Sequence, residues 1–310
     1  MAEVNLEKNY VSAVVYLGDE QGCAEPFLTA LCEALAGRFA TWELVFVNDL
    51  STDGTAGEVR EFIEKMDSPP PVTMVNMSVK QGLELGMNAG LDMAVGDFVW
   101  EFDTMKMPYP PEMILQAYDA CIAGSDIVTV SPSKNRNLTA GLFYKLFNAS
   151  SRSKYKLRTD VFRLLSRRAI NRVHSISATM PYRKAAYAAS GMKMENLVFE
   201  GKAASLPEQL RLSRAVDSLA LYTDIAYRAS AGISIVMLVL FVAAVVYTIV
   251  VNFIPSLQVA PGWTTTMLML SGGFFGVFLI LAIVLKYLAL LVEMTFRKQA
   301  YLVESIEKLK

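Results

Sequence analysis

The stretch Gly96-Asp-Phe-Val-Trp-Glu-Phe-Asp-Thr-Met-Lys-Met-Pro-Tyr-Pro-Pro111 decides how this chain is read. Residues 98–102 are a short, mostly apolar run rich in aromatic and β-branched side chains. Gly-Asp opens the run and prolines close it, which predicts a buried strand. Two carboxylates fall at its end, Glu101 and Asp103. Residues two apart on a strand project from one face. Such an acidic pair suits a divalent cation, which favours oxygen ligands, or a salt-bridged strand end. The stretch alone leaves both open.

Upstream, residues 11–16, 43–47 and 72–77 read as strands, and about 25–39, 56–65 and 82–94 as helices. Asn48-Asp-Leu-Ser-Thr-Asp-Gly-Thr55 precedes the second helix with side chains that suit an N-cap. Alternation of this kind predicts an α/β fold, a mainly parallel sheet with helices on both faces. Ligands in such sheets sit at the carboxyl ends of the strands. Asn48, Asp49, Lys80, Glu101 and Asp103 all fall at or near such ends, which gathers them around one crevice.

The net charge of −1 conceals a division. Residues 1–126 carry 21 Asp and Glu against 6 Lys and Arg, whereas residues 133–173 carry eleven basic residues and a single acid, Asp160. A basic block of this kind points to an anionic partner, a phosphate group or a phospholipid surface. Nucleic acid is not expected, because the block precedes an apolar hairpin and no nucleic-acid motif accompanies it.

Hydrophobic residues make up 53 % of the chain and mean hydropathy is +0.34, and the excess is localised. Residues 229–285 contain no Asp, Glu, Lys, Arg or His. Two apolar segments, about 231–253 and 265–285 with its helix running to about 290, flank a turn holding two prolines, a glycine and Trp263. Each exceeds the roughly 20 helical residues that cross a hydrocarbon core, which predicts a transmembrane hairpin. Arg211, Arg214 and Arg228 precede it, and Lys286, Arg297, Lys298, Lys308 and Lys310 accompany or follow it, so both termini are expected in the cytoplasm. The amino terminus reads as no signal peptide. Residues 138–147 and 207–228 read as amphipathic segments lying on the membrane. Gly272, Gly273 and Gly276 offer a face for close helix packing, and with it a homo-oligomer. Cys23, Cys32 and Cys121 lack metal or redox spacing. His174 is the only histidine, which argues against a His-based nucleophile.

Taken together, the strand ending in Asn-Asp-Leu-Ser-Thr-Asp-Gly-Thr, Gly-Asp-Phe-Val-Trp-Glu-Phe-Asp, Tyr-Pro-Pro-Glu-Met-Ile and Phe-Arg-Leu-Leu-Ser-Arg-Arg-Ala are similar to the family 2 glycosyltransferases. The two apolar segments followed by Tyr-Leu-Val-Glu-Ser-Ile-Glu resemble the polyprenyl-phosphate, dolichyl-phosphate mannose synthase-like branch. The resemblance implies a GT-A (Rossmann-like) domain over residues 1–205, a juxtamembrane helix at 206–228, a transmembrane hairpin at 229–292 and a cytoplasmic tail at 293–310. It also implies an inverting transfer, from a nucleoside diphosphate sugar to a polyprenyl phosphate, with Mg²⁺ or Mn²⁺ as cofactor.

By the same resemblance, Tyr16, Glu20, Asn48, Asp49 and Lys80 border the nucleotide-sugar pocket, with Glu101 and Lys106 beside the donor. Asp103 matches the first Asp of the metal-binding Asp-x-Asp, and Glu101 is the candidate second ligand. Met105 stands where the second Asp belongs, and a thioether suits a hard cation poorly. The family's catalytic base would fall on Val161, one position after Asp160, so Asp160 is the candidate base. Arg152, Lys154, Lys156, Arg158 and Arg163 are the candidate lipid-phosphate ligands. The departures at Asn48, Met105 and Val161 keep open a degenerate relative that binds without turnover. A transferase with another lipid or glycan acceptor is disfavoured by the absent Gln-x-x-Arg-Trp motif.

Overall fold

The structure is a computed structural model. It describes residues 6–134, 144–145, 148–149, 155–176, 182–202, 262–296 and 301–309, with isolated positions between 232 and 246. The chain divides into two compact units, residues 1–218 with 299–310, and residues 219–298.

The first unit is built on an eight-stranded sheet. Its strands are β1 (Val11–Leu17), β2 (Trp42–Asn48), β3 (Val72–Met77), β4 (Phe98–Phe102), β5 (Ile127–Lys134), β6 (Phe162–Ser166), β7 (Met194–Lys202) and β8 (Val303–Lys308). They lie in the order β7-β5-β6-β4-β1-β2-β3-β8. Strands β1 to β4 are mutually parallel, and β5 and β7 run with them. Only β6 and β8 are reversed. The sheet is therefore the mainly parallel one expected, and the first four strands fall within a residue of their predicted limits.

Alternation along β4 sorts its side chains into two layers. Trp100 and Phe102 turn toward the layer of α1 (Ala24–Arg38) and α4 (Glu112–Ile122), where Trp100 stacks on Tyr118 and Phe102 meets Phe27 edge-on. Each ring is fully buried, and burial of such a side chain stabilises the fold by about 1.5–3 kcal/mol. Glu101 turns the other way and pairs in register with Val14. On that face α3 (Leu83–Met93) lies close against β1 and β2, because a Cβ at Gly90 would stand 2.4 Å from Val14 Cγ1. Helix α2 (Thr55–Glu64) follows β2, α5 (Arg167–Ile176) follows β6, and α6 (Arg183–Ala189) packs on α5.

Residues 303–308, expected within a tail, instead form β8 on the open edge of β3. Arg60 pairs with Glu307 at 3.1 Å, and Asn76 donates to Glu307 at 2.6 Å. The charged Glu304, Glu307 and Lys308 blunt the new edge.

In the second unit, α7 (Trp263–Phe296) runs 34 residues. Gly276 faces Met237, whose Cγ would lie 3.0 Å from a Cβ added there. Phe275, Val277 and Phe278 are each at least 60 % exposed. No helix is long and apolar enough to cross a membrane among the described residues. Most of 231–253 lies outside them. The segments predicted at 138–147 and 207–228 fall wholly or largely outside the described residues.

Candidate active site

The crevice forms where β1, β2 and β3 end. Asp49 follows β2 and is buried. Its oxygens accept from the backbone N–H groups of Gln81 and Gly82, each at 2.7 Å, and from the Tyr16 hydroxyl at 2.7 Å. Gly82, with φ of 85°, caps α3 in a conformation that favours glycine. Leu50, next to Asp49, takes φ of 53° and is half exposed. A non-glycine residue there is uncommon and strained. Asn48 ties its own loop, accepting from Ser51 and donating to Asn76. Glu20 reaches the loop after β4, accepting from the Thr104 hydroxyl at 2.5 Å and the Met105 N–H at 2.8 Å. Lys80 pairs with Asp19 at 3.3 Å, and the Lys106 ammonium lies 3.9 Å from Glu20. The structure thus brings Tyr16, Glu20, Asn48, Asp49, Lys80 and Lys106 to one end of the sheet.

At β4 the outcome differs from expectation. Glu101 and Asp103 are spanned by two buried guanidinium groups. Arg163 donates to Glu101 at 2.6 Å and to Asp103 at 2.5 Å, and Arg183 donates to the same two carboxylates at 2.7 and 2.8 Å. The Tyr187 hydroxyl adds a bond to Glu101 at 2.6 Å. Arg183 also holds Glu84 of α3 at 3.0 Å through Nε and through its backbone N–H. Asp160 accepts from Arg163 Nε at 2.6 Å and pairs with Lys184. The salt-bridged strand end is therefore the alternative realised.

Burial alone would raise the pKa of Asp103, but Arg163 and then Arg183 reverse this and hold it well below the usual carboxylate range. Asp160 is lowered in the same way, by Arg163 and Lys184 against burial. Both arginines are held charged far above neutrality, because their carboxylate partners outweigh the cost of burial.

Three expectations are corrected by these contacts. Arg163, 1 % exposed, is a member of the buried network and presents no free guanidinium to a lipid headgroup. Asp160 does reach the site while Val161 turns into the core, but with two cations on it and a depressed pKa it is a poor proton acceptor. Glu101 and Asp103 do not fit a divalent cation, since all four of their oxygens are engaged. Met105 is buried and supplies only sulfur. Among the described residues no group of three or more His, Cys, Asp or Glu is placed to hold a metal ion.

Beyond β4, a cavity of about 420 Å³ opens along β5 and β7. Lys156, Arg158, Lys184, Asp160, Tyr155 and Asn196 are among its lining. Lys156 and Arg158 are exposed, and Arg152 and Lys154 lie outside the described residues. Sequence reasoning missed Arg183, Lys184 and Tyr187. Nothing local to the run Arg183-Lys-Ala-Ala-Tyr187 says that its charges turn inward.

Comparison with known proteins settles the family. The profile described as glycosyl transferase family 2 matches residues 19–174, half of the chain. The chain belongs to glycosyl transferase family 2. An uncharacterized glycosyltransferase of Synechocystis is 28 % identical over 61 % of this chain and 60 % of its own length. A bactoprenol glucosyl transferase of Shigella phage SfV is 30 % identical over 53 % of this chain and 54 % of its own length. The chain thus spans a little over half of the curated relatives it matches. Among solved structures, a mannosyltransferase from Pyrobaculum calidifontis, in complex with GDP-Man and Mn²⁺, superposes with a TM-score of 0.50 at 15 % identity. That alignment covers 94 % of this chain and 89 % of the other. Glucosyl-3-phosphoglycerate synthase from Mycobacterium tuberculosis gives 0.51 at 12 % identity, over 68 % and 76 %. At such identities the likeness is one of fold, and it agrees with a GT-A family 2 architecture.

Proposed function

We propose that this family 2 chain transfers a sugar from a nucleoside diphosphate sugar to a polyprenyl phosphate at the cytoplasmic face of a cell membrane. One observation carries the reading, the placement of two unlike sites on opposite sides of β4. The Asp49 crevice lies toward β1–β3, and the basic cavity of Lys156, Arg158 and Lys184 lies toward β5 and β7. The bactoprenol glucosyl transferases among the relatives support the polyprenyl acceptor. The exposed apolar side chains of α7 support a membrane location for the unit that carries it, as a transmembrane hairpin. The small residues Gly272 and Gly273 of that helix support a homo-oligomer.

In this reading the nucleoside sits in the crevice that the buried Asp49 shapes through Tyr16, Gln81 and Gly82, and the acceptor phosphate enters the cavity. An acceptor oxygen attacks the anomeric carbon from the side opposite the donor diphosphate. The new carbon–oxygen bond forms as the bond to the β-phosphate breaks, with inversion, and nucleoside diphosphate leaves with the bonding electrons. A phosphate monoester has a second pKa near 6, so the nucleophile has already lost its proton at neutral pH. The poor basicity of Asp160 is then no obstacle. Positioning and charge stabilisation carry the rate.

A second reading, binding without turnover, is favoured by the closure of the acidic pair around Arg163 and Arg183. The test is turnover by the full chain in detergent, with a short polyprenyl phosphate and a panel of UDP-, GDP- and CMP-sugars. Nucleotide release that requires the lipid is expected. Saturable binding of one donor with no release would establish the second reading instead.

A further inference from the structure

We propose that donor binding in this chain proceeds without a divalent cation, and that Lys106 meets the charge of the donor diphosphate. The proposal rests on the nucleotide-sugar reading above and departs from the cofactor the family resemblance implies.

The donor set at β4 carries the first half. Each arginine bridges both carboxylates, so Glu101 and Asp103 receive four guanidinium bonds of 2.5–2.8 Å. Charge-assisted bonds of this fork geometry are the strong ones. A cation entering here would have to expel two guanidinium groups with no exposed surface to speak of. It would leave them buried and unpaired, the costly way to break such a network. The cluster is also close to charge balance. Glu84, Glu101, Asp103 and Asp160 face Arg163, Arg183 and Lys184. One net negative charge remains, already shared over the cluster. The flanking side chains add no hard ligand, since Met105 offers sulfur and the Thr104 hydroxyl is committed to Glu20.

Lys106 carries the second half. It is the sole cation on the loop between β4 and α4. That loop is pinned at its base, where the Lys106 N–H donates to Thr104 Oγ1 at 3.1 Å and Glu20 holds the Met105 N–H. The side chain beyond that anchor is 48 % exposed, and its ammonium stands toward Glu20 at the crevice end of β1. An ammonium on a fixed loop at the strand ends acts as a point charge against a phosphate.

The experiment measures binding of UDP and GDP to the full chain in detergent, by calorimetry, in excess EDTA and in Mn²⁺. Mn²⁺ binding by the protein alone is followed by the loss of the free-ion paramagnetic resonance signal. The expected result is one nucleotide bound with affinities equal within about twofold in the two media, and no stoichiometric Mn²⁺ site. Lys106→Met should weaken that nucleotide about tenfold in EDTA. Affinity that rises tenfold or more with Mn²⁺, or a Mn²⁺ site that Asp103→Asn abolishes, overturns metal independence while leaving the transferase reading intact. An unchanged affinity in Lys106→Met overturns the role of Lys106. No nucleotide bound in either medium would sink the donor reading, and this proposal with it.

Discussion

Arg183, the first residue of α6, donates to Glu101 of β4 across 82 positions of sequence, at 2.7 Å and with both side chains fully buried. With Arg163 and Tyr187 it holds the strand-end acid inside the fold. It makes α6 a wall of the site and binds a helix of seven residues to the centre of an eight-stranded sheet.

Removing the guanidinium at position 183 leaves Glu84, Glu101 and Asp103 short of a partner in a buried place. Arg183→Met is expected to lower stability by about 3–5 kcal/mol, the range for breaking a buried pair from one side. Arg183→Lys should rescue little, because an ammonium cannot reproduce the planar fork. Denaturant titration of the two variants beside the parent, followed by tryptophan fluorescence, checks both statements.

Acid should unfold the first unit through the same cluster. Asp103 and Asp160 are held below their ordinary values, as burial is outweighed by Arg163 with Arg183 and by Arg163 with Lys184 respectively. A depressed carboxylate adds stability above its unfolded pKa of about 3.9. That stability is lost as pH falls toward the folded value. Stability should therefore hold from neutrality to about pH 5 and drop steeply below about pH 4. Asp160→Asn should flatten the drop. Thermal melts at pH 7, 5, 4 and 3 would show it.

Gln81 clasps the C-terminal strand to the crevice. Its amide donates to the Leu302 carbonyl at 2.6 Å and accepts from the Leu302 N–H at 2.9 Å, while its backbone N–H holds Asp49. Gln81→Ala removes the first two bonds, each worth about 0.5–1.5 kcal/mol. Amide exchange at Leu302 and Ser78 should quicken about tenfold. If exchange there stays at the parent rate, the clasp contributes nothing.

The cavity beyond β4 should govern the acceptor alone. Replacing Lys156 and Arg158 together by serine is expected to raise the KM for polyprenyl phosphate about tenfold or more, with nucleotide affinity within twofold of the parent. An equal loss on both substrates would place these side chains in the fold and not in acceptor binding.

Much of the fold was legible because its signals are local. The apolar runs of β1 to β4, the helices between them and the polar residues at the strand ends each follow from neighbours within a few positions. Asp49 could be set at the crevice because parallel topology forces strand ends together, whereas Tyr16 was placed there by the family resemblance, and the two meet at 2.7 Å. The C-terminal strand was not legible. Residues 303–308 carry three exposed positions in a row and acquire strand form only from the open edge of β3.

By itself the sequence determined the α/β alternation, the carboxylates at the end of β4, the basic block after them and the apolar run of residues 229–285. Local periodicity and charge depend only on residue type and spacing. Tertiary structure alone decided which charges meet. Glu101 and Asp103 read equally as ligands or as a salt-bridged strand end until Arg163 and Arg183 arrived from 60 to 82 residues downstream. An ion pair is set by distance in space and by the exclusion of water, and chain order encodes neither.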